Sequence, residues 1–166
     1  IKVTGADETT LETGLAGVAD MVYLTEQNAL VVSGTSFDRT GTLLAFIDSN
    51  GDGSLLDEGP RALLEGLIMT NLDLIQNPAS GALFLFDEIE DQIWALATVD
   101  GLPIGLDRVV WEHEGSVLDT PHDWTFGIHG ETLLGNAMAD PKGRAMDWGT
   151  EIVQADDNDG DGFFET

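Results

Sequence analysis

Residues 81–96 read GALFLFDEIEDQIWAL. Two short apolar stretches, 82–86 and 92–98, flank an acidic connection, and both are rich in β-branched or aromatic residues. Stretches of this length and composition, bounded by Gly, Asn, Asp or Pro, are typical of β-strands. We therefore predict two strands joined by a short connection in this part of the chain.

The same kind of stretch recurs on both sides of this segment. Further strands are predicted at residues 21–24, 29–32, 42–47 and 108–111. Helical periodicity is weak, and its best candidates are residues 9–18 and residues 61–69, which follow Pro60. The sequence as a whole predicts an all-β chain.

Three segments of the chain share an order of features. Each has two short apolar stretches, then a third, then an Asp-Gly loop or turn, and the matching residues Leu30, Leu83 and Leu133 lie 53 and 50 residues apart. In the third segment the stretches are 124–126, 131–134 and 144–146. A unit of about 50 residues with four short strands has the size of a β-propeller blade. We predict a single β domain over 1–166, with repeats at about 19–70, 71–120 and 121–166, forming about three four-stranded propeller-like blades.

Three blades are too few for a closed ring. A propeller typically has four to eight blades, and an incomplete one leaves the edges of its outer sheets unpaired. We therefore expect a chain that either forms a homo-oligomer or needs the remainder of a larger protein. An open β-sandwich or barrel is the alternative fold.

Two stretches of the sequence have the pattern of calcium-binding loops. Residues 48–53 read DSNGDG and residues 157–162 read DNDGDG, and both match the start of an EF-hand loop. Alternate residues of such a loop turn oxygen atoms inward, and the sixth-position glycine allows the sharp turn that brings a backbone carbonyl to the ion. The predicted Ca²⁺ ligands of the first loop are Asp48, Asn50, Asp52, the backbone oxygen of Ser54, and Asp57 or Glu58. Those of the second are Asp157, Asp159, Asp161, the backbone oxygen of Phe163, and Glu165.

Both loops depart from a complete EF-hand. Position twelve of the first loop is Gly59, the sequence stops before position twelve of the second, and a predicted strand leads into the first. We therefore expect EF-type loops on a β scaffold, with Kd near 10⁻⁴–10⁻³ M as in extracellular modules. Plain turns are the alternative, because Asn-Gly and Asp-Gly are favoured turn residues.

Residues 77–85 and 91–96 carry a resemblance to a known group of proteins. They resemble blades of secreted bacterial propellers of the phytase-like and sugar-dehydrogenase-like kind, which often carry Asp-rich calcium loops. The resemblance implies a propeller architecture. From the two loops and the acidic composition we expect a secreted or surface calcium-binding β-repeat domain with a structural, adhesive or assembly role. The alternative is part of a calcium-dependent propeller enzyme, either a phosphoester hydrolase or a sugar oxidoreductase, so the enzymatic status stays open.

The charge of the chain excludes several classes of partner. Acidic residues number 31 against 6 Lys plus Arg, which gives a formal net charge of -25. Such a chain repels nucleic acids and anionic membrane surfaces, and no apolar run reaches the ~20 residues of a membrane span. Self-repulsion favours bound divalent cations or a high-salt habitat. With no cysteine to set the redox compartment, the expected location is extracellular or cell-surface, with the periplasm as an alternative.

No catalytic residue is predicted. His122 and His129 could bind a transition metal or act as acid and base, but seven residues along a strand would place them on opposite faces. His113 is expected at a solvated strand end.

Two further groups have competing interpretations. The acidic connection of Asp87, Glu88, Glu90 and Asp91 is either a further calcium cluster or, as we favour, a solvated turn; Trp94, Trp111, Trp124 and Trp148 are predicted in the core, with a sugar-stacking surface as the alternative.

Overall fold

The computed structural model describes residues 11–55, 59–68, 72–87, 90–112, 121–137 and 151–165, without the side chains of 121–123, 136–137 and 151–153. Within these residues the chain forms strands, turns and irregular segments. The strands are β1 (Gly17–Leu24), β2 (Ala29–Thr35), β3 (Gly41–Ile47), β4 (Arg61–Leu67), β5 (Leu72–Gln76), β6 (Leu83–Asp87), β7 (Gln92–Val99), β8 (Leu102–Glu112), β9 (Pro121–Phe126), β10 (Thr132–Ala137) and β11 (Glu151–Asp156).

The strands form three antiparallel sheets, each a meander of consecutive strands. The first sheet contains β1 to β4, the second β5 to β8 and the third β9 to β11. None of the three closes into a barrel, and no described residue is helical. The all-β prediction is therefore confirmed.

The two helical candidates are wrong where the structure describes them. Residues 11–16 have no helical structure, and β1 begins at Gly17. The second candidate, 61–69, contains β4, which pairs with β3 through Leu43 and Leu64. Register irregularities in this pairing let the adjacent Leu63 and Leu64 both pack against the core. Neighbouring apolar residues in a bulged strand mimic a helical pattern.

The second sheet is the middle layer of the protein. On β6, Leu83 and Leu85 belong to the core shared with the first sheet, while Phe84 and Phe86 belong to the core shared with the third. Successive side chains of a strand point to opposite faces, so a strand covered on both faces needs an unbroken apolar run. This explains why the segment at 83–86 contains no polar residue.

Neighbouring sheets contact each other through their first strands, and the first two sheets also contact each other through their last strands. β1 contacts β5, β5 contacts β9, and on the other side β4 contacts β8. Polar contacts also join the first and second sheets: the Leu74 N–H donates to Asp20 Oδ2 at 3.0 Å, and the Ser33 hydroxyl donates to the Leu72 carbonyl. The arrangement is consistent with an incomplete propeller-like or sandwich fold.

One end of the three sheets, called here the loop end, carries the β1–β2, β5–β6 and β9–β10 turns together with the segments that follow β3, β7 and β11. The Asp48 N–H donates to the Asn28 carbonyl at 2.9 Å, which places the segment after β3 beside the β1–β2 turn. In the third sheet Thr132 pairs with Asp156, so the segment after β11 lies beside the β9–β10 turn. Both predicted calcium loops therefore lie at the loop end.

The third sheet contains a strand that the sequence did not predict. The strand that leads into Asp157 is β11, whereas the predicted stretch 144–146 lies outside the described residues. The β-branched Ile152 and Val153 of β11 are flanked by polar residues, so this segment lacks the longer apolar run by which the other strands were predicted. Among the described residues, no helix has the length and apolar character needed to cross a membrane.

Candidate metal-binding loops

Each predicted loop begins directly after a strand. β3 ends at Ile47 and β11 at Asp156, so the expectation that a strand rather than a helix leads into the first loop is confirmed. The fourth and sixth positions have positive φ in both loops: 74° and 81° at Gly51 and Gly53, and 77° and 81° at Gly160 and Gly162. A side chain is strained in this left-handed region, which explains the two glycines of each motif.

In the second loop, the side chains at alternate positions accept hydrogen bonds from the loop backbone. Asp157 accepts from the N–H groups of Gly160 at 2.8 Å and Gly162 at 3.0 Å, through its two carboxylate oxygens. Asp159 and Asp161 each accept from the N–H two residues further on, at 3.2 and 2.8 Å. These bonds fold the loop around its own acidic side chains.

The first loop has the same four bonds. Asp48 accepts from Gly51 at 2.7 Å and Gly53 at 2.8 Å through its two carboxylate oxygens. Asn50 and Asp52 each accept from the N–H two residues further on, at 2.9 and 2.7 Å. The two loops, 109 residues apart, therefore have one local conformation.

The second loop gathers three carboxylates. Oxygens of Asp157, Asp159 and Asp161 lie within 4.8 Å of one another, with Asp157 half-buried and the other two exposed. Charges at this separation repel by on the order of 1 kcal/mol per pair in water. Such a group could hold a metal ion, and its all-oxygen donor set fits a hard cation. The Glu165 carboxylate is outside this group; its backbone pairs with that of Asp156 at 3.0 and 3.1 Å.

The first loop brings together two carboxylates and an amide. Asn50 donates through its side-chain nitrogen to Asp52 at 3.2 Å, so the third and fifth positions are in direct contact. Ser54 follows, with its N–H bonded to Asp52. The remaining predicted ligands of this loop, Asp57 and Glu58, lie outside the described residues.

The second loop is attached to the second sheet as well as to its own. Arg108 of β8 donates through Nη1 to the Asp161 carbonyl at 2.9 Å, and the Phe164 N–H donates to the Val110 carbonyl at 2.7 Å. A Cβ at Gly162 would lie 2.1 Å from Nη2 of the same arginine. Sequence reasoning missed Arg108 in this role, because its position 53 residues before Asp161 gave no sign of the contact.

The histidines are not brought together into a described site. His129 lies exposed in the turn after β9, so the expectation that it shares a strand with His122 is wrong. The side chain of His122 and all of His113 lie outside what the structure describes.

The solvated interpretation of the acidic connection is wrong for two of its residues. Asp87 and Asp91 are 2% and 8% exposed, while Glu90 is exposed and Glu88 lies outside the described residues. Asp87 is buried because it ends β6 in the middle of its sheet, paired with both Leu72 and Gln92.

Two of the four tryptophans are confirmed as core residues. Trp111 and Trp124 are 1% and 6% exposed, and their rings pack with centroids 4.4 Å apart between the second and third sheets. Trp94 is half-buried against the core shared by the first and second sheets, and Trp148 lies outside the described residues.

Two solved structures resemble this fold. One is a candidate 6-phosphogluconolactonase from Bacteroides uniformis, with a TM-score of 0.58 and 17% sequence identity, over 89% of this chain and 39% of that one. The other is an auxiliary nutrient binding protein from Bacteroides ovatus, with a TM-score of 0.59 and 14% identity, over 93% of this chain and 32% of that one.

These likenesses concern the fold alone. Both neighbours are propeller-like, and this chain spans well under half of the length of either. No family model matches the chain, and no curated protein matches it in sequence.

Proposed function

We propose that this chain is a secreted or cell-surface calcium-binding β-repeat domain with a structural role, in which Ca²⁺ holds the loops that follow β3 and β11. The observation that carries the proposal is the shared conformation of the two loops. Both direct three oxygen-bearing side chains inward at alternate positions, and in the second loop three carboxylates lie within 4.8 Å of one another.

Calcium suits this donor set better than other ions. Its shell of six to eight oxygens tolerates flexible geometry, whereas Mg²⁺ demands a rigid octahedron and keeps several waters. The chain has no cysteine, so thiolate-bound metals have no ligand here. A divalent ion at each loop also offsets part of the net charge of -25, which otherwise opposes a compact fold.

The proposed role predicts a direct effect on stability. An ion at a hundred times its Kd adds roughly 2.7 kcal/mol per site to the free energy of unfolding. For a domain of this size that corresponds to an increase in Tm of about 5–10 °C per site. The test is thermal unfolding followed by circular dichroism in EGTA, in millimolar Ca²⁺ and in millimolar Mg²⁺.

We expect a rise in Tm with Ca²⁺ and a much smaller one with Mg²⁺. Sodium chloride at matched ionic strength is the control, because simple screening of the net charge would raise Tm with any salt. Equal Tm values in EGTA and Ca²⁺ would contradict a structural calcium role.

The partners that we propose follow from the fold and charge. The chain covers 39% and 32% of its two structural neighbours, which supports either association into a homo-oligomer or a place in a larger protein. Calcium-dependent growth in mass by light scattering would favour assembly. Nucleic acid is not a proposed partner, because the charge of the chain repels phosphates.

The alternative is part of a calcium-dependent propeller enzyme. It is favoured by one observation, the propeller-like fold shared with a candidate 6-phosphogluconolactonase. This alternative requires catalytic residues beyond those described. A monomer in both EGTA and Ca²⁺ would favour it over an assembly role.

A further inference from the structure

A groove opens at the loop end, between the first and second sheets. It has a volume of about 490 Å³ and lies between residues 23–27 and residues 76–82, with Thr98 and Gly101 on a third side. None of its lining residues belongs to the two metal-binding loops. Its size is within the ~300–1,000 Å³ typical of small-molecule sites.

The wall formed by the β5–β6 turn is held in place by one buried side chain. Asn77 is 8% exposed, and its Oδ1 accepts from the N–H groups of Ala79 at 2.9 Å and Ser80 at 3.1 Å. Its Nδ2 donates to the Gly130 carbonyl of the third sheet at 2.8 Å. Because these bonds satisfy the amide and fix the turn, this wall is preformed.

The opposite wall, the β1–β2 turn, is held against the second sheet. The Gln27 side chain packs so closely on the β7–β8 turn that a Cβ at Gly101 would lie 2.1 Å from its Nε2. The Tyr23 hydroxyl lies 3.5 Å from Asn28 Oδ1, and the tyrosine remains 49% exposed beside the groove. A half-exposed ring therefore stands at a site with two fixed walls.

The lining has the chemistry that recognises hydroxyl groups. Amides and hydroxyls both donate and accept hydrogen bonds, as the hydroxyls of a sugar do, and an aromatic ring can cover the apolar C–H face of a sugar ring. The groove offers these groups on Tyr23, Gln27 and Gln76 and on Thr25, Ser80 and Thr98.

The charge of the lining selects against phosphorylated or acidic ligands. Glu26 is the charged residue among those that line the groove, which include no lysine or arginine. The field of the whole chain, at a net charge of -25, acts in the same direction. From the ring, the amides, the hydroxyls and the missing cations, we infer that this groove binds a neutral disaccharide.

The chain provides its own reporter for the test. Tyr23 is the one tyrosine of the sequence, so protein labelled with 3-fluorotyrosine gives a single fluorine resonance from the groove. The calcium-loaded full chain is titrated with maltose, cellobiose and N,N′-diacetylchitobiose, and separately with glucose 6-phosphate. We expect a saturable shift with at least one neutral disaccharide, with Kd of about 1 mM or lower, and none with the phosphate.

Matched variants separate specific binding from loose contact with the ring. Gln76→Ala removes an amide from the groove and is expected to weaken binding roughly fivefold. Gln92→Ala removes an amide outside it, one that bonds Glu112, and should leave binding unchanged. By calorimetry, Tyr23→Ala should abolish binding and Tyr23→Phe should retain it. Phe37→Ala, which removes an aromatic ring that is 82% exposed and outside the groove, is the control and should leave binding unchanged.

Several results would overturn the inference. It fails if no neutral disaccharide gives a saturable shift at tens of millimolar, or if glucose 6-phosphate binds and the neutral sugars do not. Equal effects of the two glutamine variants would also overturn it, because the shift would then not come from this groove. Neither Tyr23 nor Gln76 belongs to a candidate metal-binding loop, so a failed titration does not count against the proposed calcium role.

Discussion

The two candidate metal-binding loops have the same local structure and lie in different sheets. Both make the same four hydrogen bonds from backbone N–H groups to side chains at the first, third and fifth positions. The second is also bonded to the second sheet through Arg108 and Phe164. In the first, the Asp48 N–H donates to the Asn28 carbonyl of the same sheet.

The comparison separates what a motif specifies from what the fold adds. Six residues with two glycines are enough to fix the conformation of each loop. The charge of the proposed ligands differs: the third position is Asn50 in one loop and Asp159 in the other. Because affinity rises with ligand charge and site rigidity, we expect the second loop to bind Ca²⁺ more tightly and to contribute more to global stability.

The largest expected effect tests this ranking directly. Asp157→Ala removes a proposed ligand and the acceptor for both Gly160 and Gly162, and Asp48→Ala makes the same change in the first loop. In saturating Ca²⁺ we expect Asp157→Ala to lower Tm by about 5–10 °C and Asp48→Ala by less. The measurement is thermal unfolding with and without EGTA.

The control for this pair is Asp107→Ala, an exposed aspartate of β8 outside both loops. It reports the effect of removing one negative charge. A Tm decrease for Asp48→Ala equal to or greater than that for Asp157→Ala would reverse the ranking. Equal decreases in EGTA and in Ca²⁺ would mean that the loops act as turns without calcium.

A second change should make the loops more alike. Asn50→Asp gives the first loop three acidic side chains, which raises the attraction for a divalent ion and the repulsion without it. We expect its Kd for Ca²⁺ to decrease roughly tenfold and its Tm in EGTA to decrease slightly. Asp159→Asn makes the reverse change in the second loop and should weaken binding there, as measured by calorimetry. An unchanged Kd for both variants would show that the third position is not a ligand.

A smaller effect is expected from the attachment to the second sheet. Arg108→Met removes the hydrogen bond to the Asp161 carbonyl and a positive charge beside three carboxylates. Because Ca²⁺ would supply the missing charge, the Tm decrease should be larger in EGTA, at about 2 °C, than in Ca²⁺. Arg61→Met, at an exposed position of β4, is the matched control. A larger decrease in Ca²⁺ than in EGTA would contradict this role.

The sequence predicted the strands better than it predicted their surroundings. Alternating and continuous apolar runs located β2, β3, β6 and β7, because burial on one face or both imposes those patterns. The same rule failed at β4, where a bulged pairing places Leu63 and Leu64 side by side. Composition also gave no sign that Asp87 and Asp91 are buried, since this depends on which strands lie beside β6.

The loops show the same limit. Their conformation could be predicted from the sequence because glycine positions and Asx turns are local properties of the chain. The contact between Arg108 and the second loop could not be predicted from the sequence, because it depends on how the second and third sheets pack. The groove beside Tyr23 lies between two sheets and has no sequence motif for the same reason.

The smallest expected effect concerns the residue that precedes each loop, Ile47 in one and Asp156 in the other. The side-chain hydrogen bonds from Thr132 at 2.6 Å and then Gln154 at 2.8 Å lower the pKa of Asp156 below its ordinary value. A depressed folded-state pKa contributes stability that is present at neutral pH and lost as the pH falls below about 4.

Thr132→Val removes the stronger of these donors at nearly constant volume, so it should lower Tm by about 1 °C at pH 7. The difference from the parent protein should shrink as the pH falls through the lowered pKa of Asp156, because the Asp156 charge is then lost in both proteins. Ser36→Ala is the comparison in the first sheet, because the Ser36 hydroxyl is the first cause of the lowered pKa of Asp38, away from either loop. A Thr132→Val difference that persists undiminished at low pH would assign the effect to packing of the side chain. The charge of Asp156 would then not contribute to the stability of the second loop.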